Sequence, residues 1–467
     1  MMSRSINLLQ RLHAEAVKLL QDAGNETWLE NAFLPSDYSD EREAFRALRQ
    51  LVVRHLLREV GDAGSAAEIL YALHEHGVPE DYGELFFRLL CRFVSSGLDA
   101  TTPRPWIWAR NPQSVLSAAV WGADYIERFD RCCIASLAAR GNIPALRARG
   151  AVELLIHTSR QDVPKLRRLE SLKRLGVKIR YWMIPDKLVE LATAGEKYWL
   201  LGGIQSIHLS YAARRRANFF PIFPDGFYSE RYFDNMLEIA EGGVDAVLLS
   251  SFKAMRHGVM NAARGFLESG GYAVPSKELV GLALKYIDSF TLGSFINARS
   301  DMLPRRRMLL ARSPNYIEIR SPHYNVALLK GSATHRIQPR YFMSLDSEID
   351  KLVPTELKIH LRDVNDDYFG TELVDDDGRP PPQLNYEDYA SFFVELANRA
   401  HLRFYDLPYR IGMPREGFER FPSDAVERID ASFRKARALI ASQMEETAQK
   451  HHRWGESVLD RWRRGEE

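Results

Sequence analysis

Hydrophobic residues from residue 1 to about 105 recur at intervals of three and four, which is the spacing of amphipathic helices. Four segments follow this pattern: Ser5–Gln21, Arg42–Val60, Ala66–His76 and Tyr82–Ser96. The run Thr-Thr-Pro-Arg-Pro at 101–105 ends the pattern, because proline disfavours helix at and before its own position. We therefore predict a helical bundle domain over residues 1–105 that serves packing or oligomerisation and carries no chemistry.

Beyond residue 105, short apolar runs alternate with helical patterns. Strands are predicted at Ser114–Trp121, Ala151–Thr158, Val177–Ile184 and Asn218–Phe223, and helices at Asp124–Arg140, Val163–Leu175 and Lys187–Arg216, the last interrupted near Gly202-Gly203. Alternating strands and helices are typical of a doubly wound, mostly parallel sheet. We predict an α/β domain of this kind over residues 106–385.

The second half of the chain continues with mixed patterns. Helices are predicted at Ser229–Glu241 and Pro275–Tyr286, strands at Ala246–Ser250 and Glu356–Leu361, and two strand pieces within Tyr316–Lys330. Residues 386–467 are predicted to form a C-terminal helical segment that ends in a charged helix over Ser423–Arg464. Five apolar residues of that helix are expected to pack on the body of the protein: Ile429, Phe433, Ala436, Leu439 and Ile440.

Composition adds limits to this picture. A chain of 467 residues is too long for one core, so two or three domains are expected. With 45% hydrophobic and 27% charged residues and a net charge of +1, nothing indicates a nucleic-acid partner. The basic runs Arg214–Arg216 and Arg305–Arg307 fit solvated turns or helix ends, and alternatively contacts to phosphate.

The three cysteines, Cys91, Cys132 and Cys133, form no disulfide framework and no CxxC metal motif, so we expect buried, reduced thiols. The first residues lack the apolar segment of a signal peptide, and no apolar run approaches the roughly 20 residues that span a bilayer. The sequence predicts a cytoplasmic protein without a transmembrane segment.

The strongest candidate site is Asp225, which follows the predicted strand Asn218–Phe223 in the turn Pro224-Asp225-Gly226. Open α/β sheets bind ligands at the carboxyl ends of their strands, and a carboxylate there can hold a divalent cation against a diphosphate. The preceding helix carries Gln205 and His208 three residues apart, hence on one face. The alternative is that Asp225 is an ordinary turn former.

Two further places carry candidate chemistry. His323 lies between two predicted strand pieces and is a candidate metal ligand or donor to a leaving phosphate, or else a loop histidine bound to its neighbours. The acidic loop Asp363–Asp367 is not an EF-hand, because Tyr368 and Val374 stand where glycine and glutamate are required. Asp366 and Asp367 are candidate bases if this loop lines the site, and otherwise solvated residues.

Several enzyme classes lack their motifs in this chain. No GxGxxG follows the first predicted strand, and neither a GxxxxGK[S/T] phosphate loop, a GxSxG nucleophile turn nor an HExxH zinc helix occurs. Dinucleotide-binding, P-loop, serine-hydrolase and zinc-protease interpretations therefore lose support.

Four segments resemble a known family: Val120–Tyr125, Arg140–Leu146, Ile156–Thr158 and Phe223–Ser229. With these residues in view, the region from about 112 to 370 resembles the GT-A fold of nucleotide-sugar-dependent glycosyltransferases. More narrowly, it resembles a loosely characterised bacterial group of such proteins.

The resemblance implies that Trp121, Gly122 and Thr158 bind the nucleotide, and that Asp225 and His323 bind Mn²⁺ or Mg²⁺ against the diphosphate. Gln205, His208 and Arg215 are the further candidates on the donor side. The family's usual acidic motif is Asp-x-Asp, whereas here Gly226 and Phe227 follow Asp225. That departure leaves a metal-independent or an inactive protein open.

The sequence thus predicts a glycosyltransferase that moves a sugar from a nucleotide-diphosphate donor to an unknown acceptor, which is a glycan, a lipid-linked group or a protein. A second hypothesis is a non-catalytic protein that keeps the fold and binds a partner. A third is a nucleotidyltransferase, for which Gly122-Ala123-Asp124 makes a poor glycine-rich, basic loop. The helical flanks are candidate surfaces for homo-oligomer formation.

Overall fold

A computed structural model describes residues 112–184, 189–190, 198–268, 271–295, 303–304, 309–312, 316–321, 324–334, 358–361, 368–375, 378–396, 409–412 and 431–445. The helical bundle predicted for residues 1–105 lies outside these ranges, as does part of the C-terminal segment. Over the described ranges the protein is an α/β structure on a seven-stranded, mostly parallel sheet.

The described strands are, in chain order, β1 (Ser114–Ala119), β2 (Val152–Ser159), β3 (Lys178–Ile184), β4 (Asn218–Pro221), β5 (Gly226–Tyr228), β6 (Ala246–Leu249), β7 (Lys253–Met255), β8 (Leu303–Pro304), β9 (Leu309–Arg312), β10 (Tyr316–Arg320), β11 (Asn325–Leu329), β12 (Ile359–Leu361), β13 (Gly370–Val374), β14 (Gln383–Leu384) and β15 (Tyr409–Gly412).

The described α-helices are α1 (Ala123–Arg128), α2 (Ala135–Leu137), α3 (Ile143–Arg149), α4 (Val163–Arg168), α5 (Glu170–Arg174), α6 (Tyr198–Arg215), α7 (Tyr232–Glu241), α8 (Arg256–Ala263), α9 (Ser276–Lys285), α10 (Ser289–Leu292), α11 (Gly331–Thr334), α12 (Tyr386–Leu396) and α13 (431–445). A π-helical segment, Phe129–Ile134, joins α1 to α2, and a 3₁₀ turn, Arg264–Phe266, follows α8.

The large sheet has the strand order β12-β6-β11-β4-β1-β2-β3. Within it, β11 runs antiparallel to β4 and β6, and the other described neighbours are parallel. Strand β1 lies at the centre, with Ser114 opposite Val152 of β2 and opposite Asn218 of β4. Every residue of β2 is buried, the polar ones Glu153, His157, Thr158 and Ser159 included. The predicted α/β structure with a mostly parallel sheet is confirmed over the described residues.

Helices cover both faces of the sheet. On one face, His208 of α6 bonds Ser117 of β1. On the other, the ring of Phe233 in α7 packs edge-on against Phe220 of β4 at 4.9 Å. The main hydrophobic core fills both of these interfaces.

Smaller sheets border the large one, in the strand orders β5-β13-β7, β15-β10-β9 and β14-β8. The two strand pieces predicted within Tyr316–Lys330 both exist, but they belong to different sheets. β10 pairs with β9 and β15, whereas β11 enters the large sheet.

Three local predictions need correction. Helix α6 runs through Gly202-Gly203 without the predicted interruption, because the residues from 202 to 210 are buried and tertiary packing outweighs the low helix propensity of glycine. The helix predicted over Val163–Leu175 is broken at Leu169, whose backbone is extended. Strand β4 ends at Pro221, two residues before the predicted Phe223.

The C-terminal segment is helical in part. Phe433, Ala436 and Ile440 of α13 are buried in a second core that includes Tyr389 and Phe393 of α12, which confirms the predicted packing of these three residues. The expectation of an all-helical segment over 386–467 is wrong at Tyr409–Gly412, which is strand β15. Its alternating burial fits a half-buried edge strand paired with β10.

Cys132 and Cys133 are buried and free, as predicted, and Cys91 lies outside the described residues. Burial raises the pKa of Cys132 to about 12, so this thiol stays protonated near neutral pH. In the described part of the chain, no helix is both long and apolar enough to cross a membrane.

Candidate functional site

The point where the chain reverses its direction across the sheet lies between β1 and β4. From β1 the chain steps outward to β2 and β3, and α6 then returns it to the other side of β1. Ligands of open α/β sheets bind at such a switch point, outside the carboxyl ends of the strands. Trp121 and Gly122 follow β1 at this edge, and Pro224 and Asp225 follow β4.

The turn that carries Asp225 is held by a buried tyrosine. The amide of Phe223 donates to Tyr228 Oη at 2.9 Å, and the amide of Gly226 donates to the Phe223 carbonyl at 3.0 Å. The Tyr228 ring packs against Tyr232 at 4.7 Å. A Cβ on Gly226 would lie 2.6 Å from Tyr228 Oη, so glycine is required for this close approach.

A second carboxylate lies beside Asp225. Glu372 of β13 is opposite Gly226 of β5, and the next amide, that of Leu373, donates to the Asp225 carbonyl at 2.8 Å. Lys253 of β7 forms an ion pair with Glu372, with Nζ and Oε2 3.1 Å apart.

Burial and, second, repulsion by Glu372 raise the pKa of Asp225 to about 6, while Lys253 and Arg128 oppose that rise. Its side chain remains partly exposed. Asp225 is thus a carboxyl group that gains or loses its proton just below neutral pH, a property found at many functional sites.

Two arginines, Arg128 and Arg256, belong to the charged residues around Asp225. Arg128, the last residue of α1, attracts the Asp225 carboxylate electrostatically. Arg256, the first residue of α8, joins Arg128 in an ion-pair group with Asp124 and Asp375. Cations at this edge suit an anionic ligand group.

The loop after β1 is anchored by an aspartate that sequence reasoning missed. Gly122, whose φ of 82° favours glycine, donates its amide to Asp162 Oδ2 at 2.8 Å. Ser159 and Lys165 also donate to Asp162, at 2.8 and 2.7 Å. Burial tends to raise the pKa of Asp162, but these three donors lower it below the usual value. Its place in the short loop between β2 and α4 was the signal that could have revealed it.

His208 lies inside the helix–sheet interface. Its Nδ1 is 2.7 Å from Ser117 Oγ, and its Nε2 is 2.6 Å from Nδ1 of His157 on β2. Both ring nitrogens of the fully buried His208 are therefore engaged. Burial lowers the pKa of His208 to about 3, and burial and its neighbour lower that of His157. If His208 turned to contact a ligand at the carboxyl edge of the sheet, it would lose its hydrogen bonds to both Ser117 and His157.

The other predicted residues are scattered. Gln205 is buried on α6, one turn nearer the carboxyl edge than His208. Thr158 is fully buried, and its hydroxyl has no hydrogen-bond partner among the described residues. Trp121 packs partly buried against the core.

Arg215 ends α6 at the amino end of β4, opposite the Asp225 edge, and its guanidinium stacks on the Tyr211 ring at 3.5 Å.

His323, Asp366 and Asp367 lie outside the described residues, so their roles stay predictions. Among the residues that are described, no group of three histidine, cysteine or acidic side chains is placed to hold a metal ion. Asp225 and Glu372 supply two carboxylates, and Lys253 already neutralises the second. This donor set by itself does not fit a divalent cation.

Sequence reasoning missed Glu372, Lys253, Arg128 and Arg256. The two short strands that carry Glu372 and Lys253 have no clear hydrophobic alternation, so neither was predicted. Arg128 could have been recognised from the sequence as a candidate, because it is the last residue of the helix that follows the loop after β1.

No protein-family model matches this chain, and no curated protein sequence matches it. Among solved structures, the chain is similar to mouse xyloside xylosyltransferase 1 in its apo form, with 12% sequence identity and a TM-score of 0.21. The match covers 33% of this chain and 58% of the xylosyltransferase chain. A likeness of this size carries no argument about fold or activity.

Replacing Gly226 with alanine is expected to destabilise the protein by about 1–3 kcal/mol, because the new Cβ forces the Tyr228 ring away from the Phe223 amide. Gly265→Ala is the matched control, since a Cβ there meets no atom within 4 Å, and it should stay within about 0.5 kcal/mol. Urea unfolding measures both. Equal stability of the two variants would contradict the role of Tyr228.

The buried histidines predict an acid-sensitive fold. The folded-state pKa of His208 lies below the unfolded value of about 6.5, so its stability contribution is complete above that pH and is lost as pH falls. The loss is about 1.4 kcal/mol per pH unit for each such histidine. The free energy of unfolding is measured in urea at pH 7.5, 6.0 and 5.0. His208→Gln should be less stable than the unmodified protein at pH 7.5, and its free energy of unfolding should fall less steeply as the pH is lowered.

His257→Gln is the control for this pH dependence, because His257 is exposed and bonds only its helix neighbour Asn261 among the described residues. This variant should decline with pH as the unmodified protein does. An unchanged slope in His208→Gln would contradict a neutral buried imidazole.

Proposed function

We propose that this protein is a glycosyltransferase that moves a sugar from a nucleotide-diphosphate-sugar donor to an acceptor. The observation that carries the proposal is the position of Asp225 beside the switch point, in a fixed turn, next to a second carboxylate and two arginines. The resemblance of the flanking segments to GT-A enzymes supplies the reaction class.

In this proposal the donor lies across the ends of β1 and β4. Trp121 and Gly122 border the nucleoside, and the diphosphate reaches the Asp225 side of the crevice. Catalysis consists of holding the donor in place and stabilising the negative charge on the departing diphosphate. Arg128 and Arg256 are better placed for that role than Arg215, which lies at the opposite edge of the sheet.

A divalent cation remains part of the proposal through Asp225 and His323. If Mn²⁺ or Mg²⁺ is bound, it would neutralise charge on the diphosphate. With a raised pKa, Asp225 binds a cation less readily below pH 6 than above it. The alternative, a non-catalytic protein of the same fold, is supported by the single carboxylate of the Asp225-Gly226-Phe227 motif.

The proposal predicts that one nucleotide sugar raises the melting temperature of the purified protein. A panel of UDP-, GDP-, dTDP- and CMP-sugars is measured with and without Mn²⁺ or Mg²⁺. A ligand at 100 times its Kd stabilises the native state by about 2.7 kcal/mol, which gives a readily measured shift. Asp225→Ala should lose any metal-dependent part of that shift.

Asp234→Asn serves as a control here and should keep the full shift, because Asp234 lies on α7 and pairs with Arg149 and Arg231, neither of which is among the charges that perturb Asp225 most. A shift in melting temperature that occurs without added metal would indicate that side chains alone bind the diphosphate. No shift with any donor would contradict the glycosyltransferase proposal and favour the non-catalytic protein.

A further inference from the structure

Two arginines from different helices converge on one carboxylate beside Asp225. Arg256 donates from Nε to Asp375 Oδ1 at 3.1 Å and from Nη2 to Oδ2 at 3.1 Å. Arg128 donates from Nη2 to the same Oδ2 at 3.0 Å. Asp375 directly follows β13, the strand that carries Glu372.

We propose that Arg128 and Arg256 form a clamp for a diphosphate, and that Asp375 occupies the clamp as an exchangeable counter-ion until the diphosphate binds. This inference rests on the proposed function, because it names the groups that hold the donor's leaving group. It also gives the site a way to bind phosphate through side chains.

The geometry of the clamp suits phosphate oxygens. A guanidinium presents a rigid fork of donors that matches a carboxylate and a phosphate alike. Since Arg256 already binds both oxygens of Asp375 and Arg128 shares one, both guanidiniums aim at the same small volume. A diphosphate has more acceptor oxygens than a carboxylate and can satisfy both forks at once.

One nitrogen of the Arg128 guanidinium is available to donate a further hydrogen bond. Its side chain is only 14% exposed, and its Nε is buried with no hydrogen-bond partner among the described residues. A buried donor without an acceptor is costly, so an additional ligand oxygen would stabilise it. The Asp375 side chain is 55% exposed, so water can solvate its carboxylate when a diphosphate takes its place.

The local charge explains why a carboxylate must leave. The described side chains of the cluster are three cations and four carboxylates, a net charge of −1 when all are ionised: Arg128, Arg256, Lys253, Asp124, Asp225, Asp375 and Glu372. A diphosphate adding to this group would be repelled. Displacement of Asp375, which bonds both arginines, frees the guanidiniums and removes one negative charge from their reach.

A similar ion-pair group elsewhere provides a matched control. Arg149 and Arg231 share Asp234 at 2.8 Å each, as Arg128 and Arg256 share Asp375. Their side chains are 28% and 53% exposed. The Asp234 group lies on α3 and α7, and none of its members appears among the charges that perturb Asp225 most.

The test is calorimetric binding of inorganic pyrophosphate in metal-free buffer containing EDTA. Asp375→Asn should bind about tenfold more tightly than the unmodified protein, because the internal competitor is lost. Arg256→Gln should bind about tenfold more weakly, through loss of charge-assisted hydrogen bonds. Asp234→Asn should change affinity less than about twofold. Arg256→Lys keeps the charge without the fork and should lie between Arg256→Gln and the unmodified protein.

Thermal unfolding of each variant confirms folding, and Arg256→Lys replaces Arg256→Gln if the latter does not fold. If Asp375→Asn and Asp234→Asn increase pyrophosphate affinity equally, the clamp proposal is wrong, because the loss of any one negative charge would then explain the result. Unchanged affinity in both arginine variants would overturn it as well. If these responses hold while no nucleotide sugar binds, the clamp stands as an anion site and the glycosyltransferase proposal fails.

Discussion

The parallel pairing of β1 with both β2 and β4 is the constraint on which the rest of the described structure depends. The chain moves outward from β1 through β2 and β3, and α6 then carries it back past β1 to β4. Because parallel crossovers are right-handed, helices of the outward steps and helix α6 take opposite faces of the sheet. The loops after β1 and β4, which carry Trp121 and Asp225, therefore diverge at the carboxyl edge, where open α/β sheets bind their ligands.

Beneath this edge, several polar side chains are buried between α6 and the sheet. Glu153 accepts from Arg180 at 3.1 Å and from the Tyr211 hydroxyl, and Ser117 and His157 engage His208. Such networks fix one alignment of a helix on a sheet, because any shift leaves buried polar atoms without partners. The strand that leads to Asp225 directly follows α6, so the network also fixes the place of the turn. Acid weakens the same network, since below about pH 6.5 its histidines take up protons in the unfolded state, whereas burial lowers their pKa in the folded state and keeps them neutral.

The sequence predicts the central strands well and the site incompletely. β1 and β2 are buried strands whose apolar residues are recognisable without knowledge of a partner, and proline and glycine mark the turn at Asp225. Periodicity also shows that Gln205 and His208 share a face, but it does not reveal that β1 and β2 cover this face. Glu372 reaches Asp225 through the pairing of two short strands far apart in sequence, which no local pattern encodes.

The central claim is that ligand binds at the carboxyl ends of β1 and β4, and hydrogen exchange tests it most directly. Amide exchange is followed by mass spectrometry with and without a mixture of UDP, GDP and dTDP. The account predicts slower exchange in peptides that contain Gly122 and residues 223–228, and no change in residues 214–218 at the opposite edge. Protection at residues 214–218, or no protection at either of the two loops, would contradict it.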